Sequence, residues 1–154
     1  MGLRERLDAK SRRRVVVPVL VGEPTQDDVR RVAEAQAAYL EALAEGDTPP
    51  ASAVDEAMAS FRVDVEFQAL PPNEFEAIAA GYPAAEGDDG GMDWKSALPV
   101  LAAMCAVDED LRDEAWWTNA LSDEGSWSHG ERHTLWRALL HINANAPDPR
   151  VPKG

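Results

Sequence analysis

The chain is poor in cysteine, in long apolar runs and, beyond its first fourteen residues, in basic side chains. Its one cysteine, Cys105, cannot form an internal disulfide, which favours a reducing compartment. No run approaches the roughly 18 apolar residues that a membrane-spanning helix needs. The N-terminus carries charges with no apolar segment behind them, so we do not expect a secretory signal. These absences predict a soluble, cytoplasmic protein.

Charge is divided unevenly along the 154 residues. The first fourteen positions have a net charge of +4, whereas the other 140 have a net charge of −17. The basic residues of this N-terminal arm (residues 1–14) are Arg4, Arg6, Lys10, Arg12, Arg13 and Arg14. An acidic body repels phosphate, and two leucines give the arm a weak apolar face, so we expect neither nucleic acid nor membrane as a partner. For the arm itself, a solvated tail, contact with an acidic protein surface and contact with phosphate remain open.

Apolar periodicity predicts a mostly helical α+β fold. Two segments have strand character: 15–21, a β-branched run, and 62–68, which alternates polar and apolar residues with Val63, Val65 and Phe67 towards the core. We predict that they form a small two-stranded antiparallel sheet packed with five or six helices. Pro18 places the first strand at an edge or a bulge, because proline has no N–H to donate.

Capping residues and apolar spacing predict the helices. Asn73, Asp108 and the pairs Thr25/Asp28 and Ser128/Glu131 are the predicted caps. The predicted spans are about 26–45, 51–60, 74–81, 96–106, 109–121 and 129–143. The helix from Ser96 is almost wholly apolar, so we expect it at the centre of the core, with Pro99 tolerated in its first turn.

The predicted organisation has three parts. They are the basic arm over 1–14, a single globular domain over 15–145, and a Pro-rich flexible tail over 146–154. A mobile, acidic Gly-rich loop is predicted over 83–93.

No combination of residues has the pattern of a catalytic or metal site. His129 and His133 are four apart, but glycine and not glutamate follows the first histidine, so the zinc-protease pattern is absent. His141 lies about 12 Å further along the helix than His133, too far to share an ion. We therefore predict no enzymatic activity, no metal and no cofactor, with a small hydrolase or metal-dependent enzyme as the contrary hypothesis.

Five tryptophans lie in the last 61 residues. Trp116 and Trp117 are adjacent, so on a helix they point about 100° apart and cannot both be central in the core. Core packing and a partner surface that uses one of the two are both open interpretations.

Several segments, in this order, resemble the tail assembly chaperone family of siphophages and prophages of actinobacteria. The segments are Met1–Leu7 with the basic run into a Val-Pro-Val strand, Phe67–Glu76 (FQALPPNEFE), the helix from Pro99 to Asp108, and Ser126-Trp127-Ser128 before the last helix. The resemblance covers most of the chain in architecture, but none of these segments is a catalytic signature.

The resemblance implies a non-catalytic role in virion morphogenesis. The protein would bind the tape measure protein, with tail tube subunits as a further candidate partner, and would be absent from the finished virion. Self-association is left open. The candidate partner-binding residues are the six basic residues of the arm together with Trp116 and Trp117. The alternative function is a structural head–tail connector or tail terminator that stays in the particle.

Overall fold

The two strand segments pair in an antiparallel sheet, and helices make up most of the rest. The computed structural model describes residues 2–48, 52–84 and 91–145. The elements are α1 (Leu3–Asp8), β1 (Arg14–Leu20), α2 (Gln26–Ala44), α3 (Ser52–Met58), β2 (Arg62–Gln68), α4 (Pro72–Gly81), α5 (Trp94–Cys105), a 3-10 turn (Glu109–Leu111), α6 (Glu114–Ala120) and α7 (His129–Asn143). The mostly helical α+β prediction is confirmed. The predicted tail (146–154) and most of the predicted Gly-rich loop (85–90) lie outside the described residues.

Contacts divide the chain into two compact units, where the sequence predicted one domain over 15–145. The first, here the core unit, comprises Met1–Val17 and Glu66–Gly154. The second, here the hairpin unit, comprises Pro18–Val65.

The register of the sheet explains how β1 tolerates Pro18. At the two ends of the ladder, the N–H of Ala69 donates to Arg13 O (2.8 Å) and the N–H of Val21 donates to Phe61 O (2.9 Å). Odd-numbered residues of β1 therefore direct their backbone groups towards β2, and even-numbered residues direct theirs to the open edge. The nitrogen of Pro18 faces that edge, so the missing N–H costs no ladder hydrogen bond, as an edge strand allows.

The inward face of β2 is less buried than its alternation predicted. Phe67 is fully buried, Val65 is half-buried, and Val63 is exposed. The apolar side chains of β2 do alternate with polar ones, but only the C-terminal end of its apolar face is buried. β1 also begins and ends one residue earlier than the predicted 15–21.

The core unit is organised around α5. Leu98 and Leu101 of α5 are fully buried, as are Leu135 and Leu139 of α7. α5 packs against α4, α6 and α7. The prediction that this apolar helix lies at the centre of the core is confirmed, except that Met104 reaches the surface.

The start of α5 differs from the prediction. The helix begins at Trp94, after Asp93, and not at Ser96. Pro99 is therefore its sixth residue and lies beyond the first turn, so the carbonyl of Lys95 does not receive the usual hydrogen bond from an N–H four residues later. The Ser96 hydroxyl donates to the Asp93 carboxylate (2.7 Å), and this hydrogen bond stabilises the first turn of α5.

The start of α4 and the continuity of the helix predicted over 109–121 also differ from the prediction. Asn73 does not cap α4, because the helix already begins at Pro72, a residue suited to a first helical position. The predicted helix over 109–121 is interrupted, because two aspartates each cap a segment. Asp108 accepts from the N–H of Asp110, and Asp113 accepts from the N–H of Trp116, so a 3-10 turn and α6 form in succession.

The hairpin unit contains α2 packed against α3. Thr25 and Asp28 form the predicted capping box: Thr25 Oγ accepts from the N–H of Asp28 (3.1 Å), and Asp28 Oδ2 accepts from the N–H of Thr25 (2.8 Å). These bonds hold the pKa of Asp28 below its usual value. Its other carboxylate oxygen accepts from Arg31 and from Ser60 Oγ. The capping box at the start of α7, formed by Ser128 and Glu131, is likewise confirmed.

Candidate protein-binding surfaces

The arm presents an exposed helix. No residue of α1 is buried, and Leu3 and Leu7, one turn apart, are 76% and 70% exposed. Arg4 and Arg6 lie on the same short helix, and both are exposed. This part of the arm therefore offers two apolar and two basic side chains to solvent.

The C-terminal end of the arm is attached to the core unit. Arg13 Nη1 donates to the carbonyls of His141 (2.8 Å) and Asn145 (2.6 Å), and Nη2 donates to His141 Nε2 (2.8 Å). A guanidinium at this place satisfies carbonyls at the C-terminal end of α7 and complements the helix dipole. Arg14 forms an ion pair with Glu66 (3.0 Å) across the sheet. Both arginines were predicted as partner-binding residues, and the structure places them in internal contacts.

A groove of about 570 Å³ opens on the core unit. Its apolar lining comes from Leu70 and Pro71, which precede α4, and from Val100, Ala103 and Met104 on one side of α5. These residues belong to the same two segments, 67–76 and 99–108, that carry the resemblance described above. The volume lies within the range of sites that bind small ligands.

Charged residues of both signs complete the groove. They are Arg12, Glu74, Arg112 and Glu114. Arg112 is oriented by its Nε, which donates to the carbonyl of Ala106 (2.9 Å). Of the six basic residues predicted in the arm, Arg12 is the one that lines the groove. Lys10 is exposed between α1 and β1.

The thiol of Cys105 adjoins the groove but is not reactive. Its side chain is buried, and burial raises its pKa from 9.0 to about 11, although the Asn143 amide donates to the sulfur (3.5 Å) and opposes the shift. The thiolate is the nucleophilic form, so a thiol with this pKa stays protonated and inert near neutral pH.

The two adjacent tryptophans have different environments. Trp117 is 1% exposed, donates its indole N–H to the carbonyl of Leu111 (2.7 Å), and packs on Phe67 and Trp127. Trp116 is 46% exposed, with its ring edge-on to Trp117 at 5.0 Å between centroids. Of the two residues, only Trp116 has a surface that a partner could cover.

The histidine pair packs on an aromatic ring. The centroids of His129 and His133 lie 5.9 and 5.6 Å from that of Trp94, both in edge-on geometry. Over residues 2–48, 52–84 and 91–145, no group of three or more His, Cys, Asp or Glu side chains is arranged to hold a metal ion.

A second exposed surface lies on α2 in the hairpin unit. Val29, Leu40 and Leu43 are 57%, 64% and 44% exposed, and Ala33 and Gln36 lie between them on the same side. We name these five residues the α2 stripe. Among the described residues of 18–65, Asp28 alone is buried. Among the described residues of the hairpin unit, the α2 stripe is therefore an exposed apolar helix face.

Sequence reasoning did not single out the groove or the exposure of the α2 stripe. Glu74, Met104 and Arg112 come from separate segments, and no local pattern indicates that they meet. The α2 residues were recognised as apolar at helical spacing, but spacing does not tell which face is covered. Their 4-3-4-3 spacing was the available signal, because it is typical of helix-to-helix contact between chains.

Comparison with family models, with curated proteins and with solved structures finds no match to this chain. Within the part of the chain that the structure describes, no helix is long and apolar enough to cross a membrane.

Proposed function

We propose that this chain is a non-catalytic phage tail assembly chaperone that binds the tape measure protein during tail morphogenesis, with tail tube subunits as further clients. The observation that carries the proposal is the groove on the core unit. Two of the four segments on which the resemblance to the chaperone family rests, 67–76 and 99–108, meet there and form most of its lining.

The chemistry of the groove suits a segment of protein better than a small metabolite. Its apolar lining can take up side chains of a client that would otherwise be exposed to water. Arg12 and Arg112 can pair with client carboxylates, and Glu74 and Glu114 can pair with client lysines or arginines. Such contacts retain a client reversibly, which is what a chaperone requires.

Co-expression with the tape measure protein tests the proposal. Met104→Glu places a charge in the apolar lining of the groove, and Arg12→Glu reverses the charge at its edge. Both side chains reach the surface, so the variants should fold. We expect each variant to lower the yield of soluble tape measure protein and to weaken its co-purification with the chain.

Two matched substitutions control for general effects of charge. Ala80→Glu adds a glutamate at another exposed helical position of the core unit, and Arg137→Glu reverses an exposed arginine on α7; neither residue lines the groove. Both controls should solubilise the client as the parent does. If the groove variants fold and solubilise it equally well, the groove is not the client site.

A further inference from the structure

The apolar surface of α2 is about twice as wide as the part that α3 covers. Half-buried residues Val32, Ala35, Tyr39 and Ala42 lie on one side of the helix. At 100° per residue, the α2 stripe is centred about 100° away from them. The charged residues of α2 other than the buried Asp28 occupy the remaining side. One half of the apolar surface thus faces α3, and the other half faces solvent.

The α2 stripe is symmetric about its middle residue. Gln36 lies at its centre, Ala33 and Leu40 lie on either side, and Val29 and Leu43 lie towards the two ends. Rotation by 180° about Gln36 brings Ala33 opposite Leu40 and Val29 opposite Leu43. A small side chain then faces a large one, which is the arrangement that lets two helix faces interdigitate.

We propose that the α2 stripe binds the same stripe of a second copy, with the two α2 helices antiparallel about a two-fold axis at Gln36. The amide of Gln36 has both donors and an acceptor, so it can form hydrogen bonds with the Gln36 amide of the second copy. The two-fold axis makes the interface isologous and closes it at a dimer. Each hairpin then contributes two helices to a four-helix arrangement, which covers the exposed apolar face.

Charge on one flank of the stripe favours the antiparallel orientation. Arg30, which also pairs with Asp27 of its own helix, lies on this flank towards the N-terminal end of α2, and Glu41 lies on the same flank towards the C-terminal end. Antiparallel pairing places the Arg30 of each copy beside the Glu41 of the other, whereas parallel pairing places the two charged flanks on opposite sides of the pair. Parallel pairing would also set Ala33 against Ala33 and leave a gap.

The size of the surface indicates a weak dimer. A 19-residue helix is about 28 Å long, so the stripe alone covers less than the roughly 1,000 Å² expected of a stable interface. Each copy also has a formal net charge of −13, which opposes association. Added salt screens this repulsion more than it weakens two exposed ion pairs, so we expect the dimer to strengthen as salt rises.

Cross-linking of single-cysteine positions tests the geometry. Gln36→Cys should cross-link to itself through a short bis-maleimide, because the axis passes between the two copies of this residue. Val29→Cys should not cross-link alone but should do so when mixed with Leu43→Cys. The parent is the control, since Cys105 is buried. Self-cross-linking of Val29→Cys without the mixed product would contradict the antiparallel arrangement.

Sedimentation of the full chain tests association itself. The parent should shift with concentration from its 16.8 kDa monomer towards twice that mass. Leu40→Glu should remain a monomer with an unchanged circular dichroism spectrum, whereas Leu3→Glu, on the exposed arm, should dimerise normally. A parent that stays monomeric into the millimolar range, or a Leu40→Glu variant that still dimerises, would overturn the proposal. A dimer that weakens with salt and is lost with Leu3→Glu would assign the contact to the arm.

Discussion

Neighbouring arginines of the arm have different environments. Arg12 lines the groove, Arg13 donates to two carbonyls at the C-terminal end of α7, and Arg14 pairs with Glu66 across the sheet. The sequence shows only a basic run here. The acceptors of Arg13 and Arg14 lie 52 to 132 residues further along the chain, so the local charge pattern cannot predict these contacts. Single side chains thus divide the arm into an exposed part and an attached part.

A buried leucine and an exposed methionine on α5 provide a matched test of the core. Leu101 is fully buried, and Met104, one turn later, is 40% exposed. Leu101→Ala should lower the free energy of unfolding by roughly 2–5 kcal/mol, because it removes apolar contacts and leaves a cavity. Met104→Ala should cost less than about 1 kcal/mol, since a surface residue leaves no cavity. Chemical denaturation measures both, and equal losses would show that α5 is not the centre of the core.

At the scale of elements, short sequence patterns that are typical of one kind of structure predicted the element bounds correctly. The alternation over 62–68 matches the bounds of β2, and the Thr25/Asp28 and Ser128/Glu131 capping boxes mark the starts of α2 and α7. Each of these signals is complete within a few residues. Asp108 and Asp113 are both suitable N-caps and lie five residues apart. The sequence does not show that each caps its own segment, so the interruption of the helix between them was missed.

Exposure of whole elements could not be predicted from periodicity. The apolar residues of α2 recur at helical spacing whether they face α3, a second copy or solvent. Burial depends on the packing of distant segments, which a local pattern does not contain. The groove was missed for the same reason, because it forms only when the segment before α4 comes to lie beside α5.

The arm can be divided experimentally at the boundary that the structure defines. Deletion of residues 2–9 removes α1, which has no buried residue, so the free energy of unfolding should not change. Arg13→Ala should lower it by roughly 0.5–1.5 kcal/mol, because the carbonyls at the end of α7 lose their donor. Arg12→Ala is the matched control and should be neutral. Thermal or urea unfolding of the three variants gives the comparison; a large loss on deletion of 2–9 would mean that α1 packs on the body.

The whole molecule combines surfaces of different character. The core unit carries a groove with apolar and charged lining, the exposed part of the arm adds basic and apolar side chains, and the hairpin unit carries the α2 stripe. In the account proposed here, the groove and the arm serve the client, and the α2 stripe joins two copies. Dimerisation would present two client sites at once, so it would raise the apparent affinity for a long client without a new contact.

The central claim is that the chain assists tail assembly and then leaves. Quantitative mass spectrometry of two fractions from cells that produce the phage tests it most directly: complexes isolated with the tape measure protein during assembly, and purified finished particles. The account predicts that the chain accompanies the tape measure protein in the first fraction and is absent from the second. A fixed number of copies in every finished particle, with none bound to the unassembled tape measure protein, would contradict it and would favour a connector or terminator.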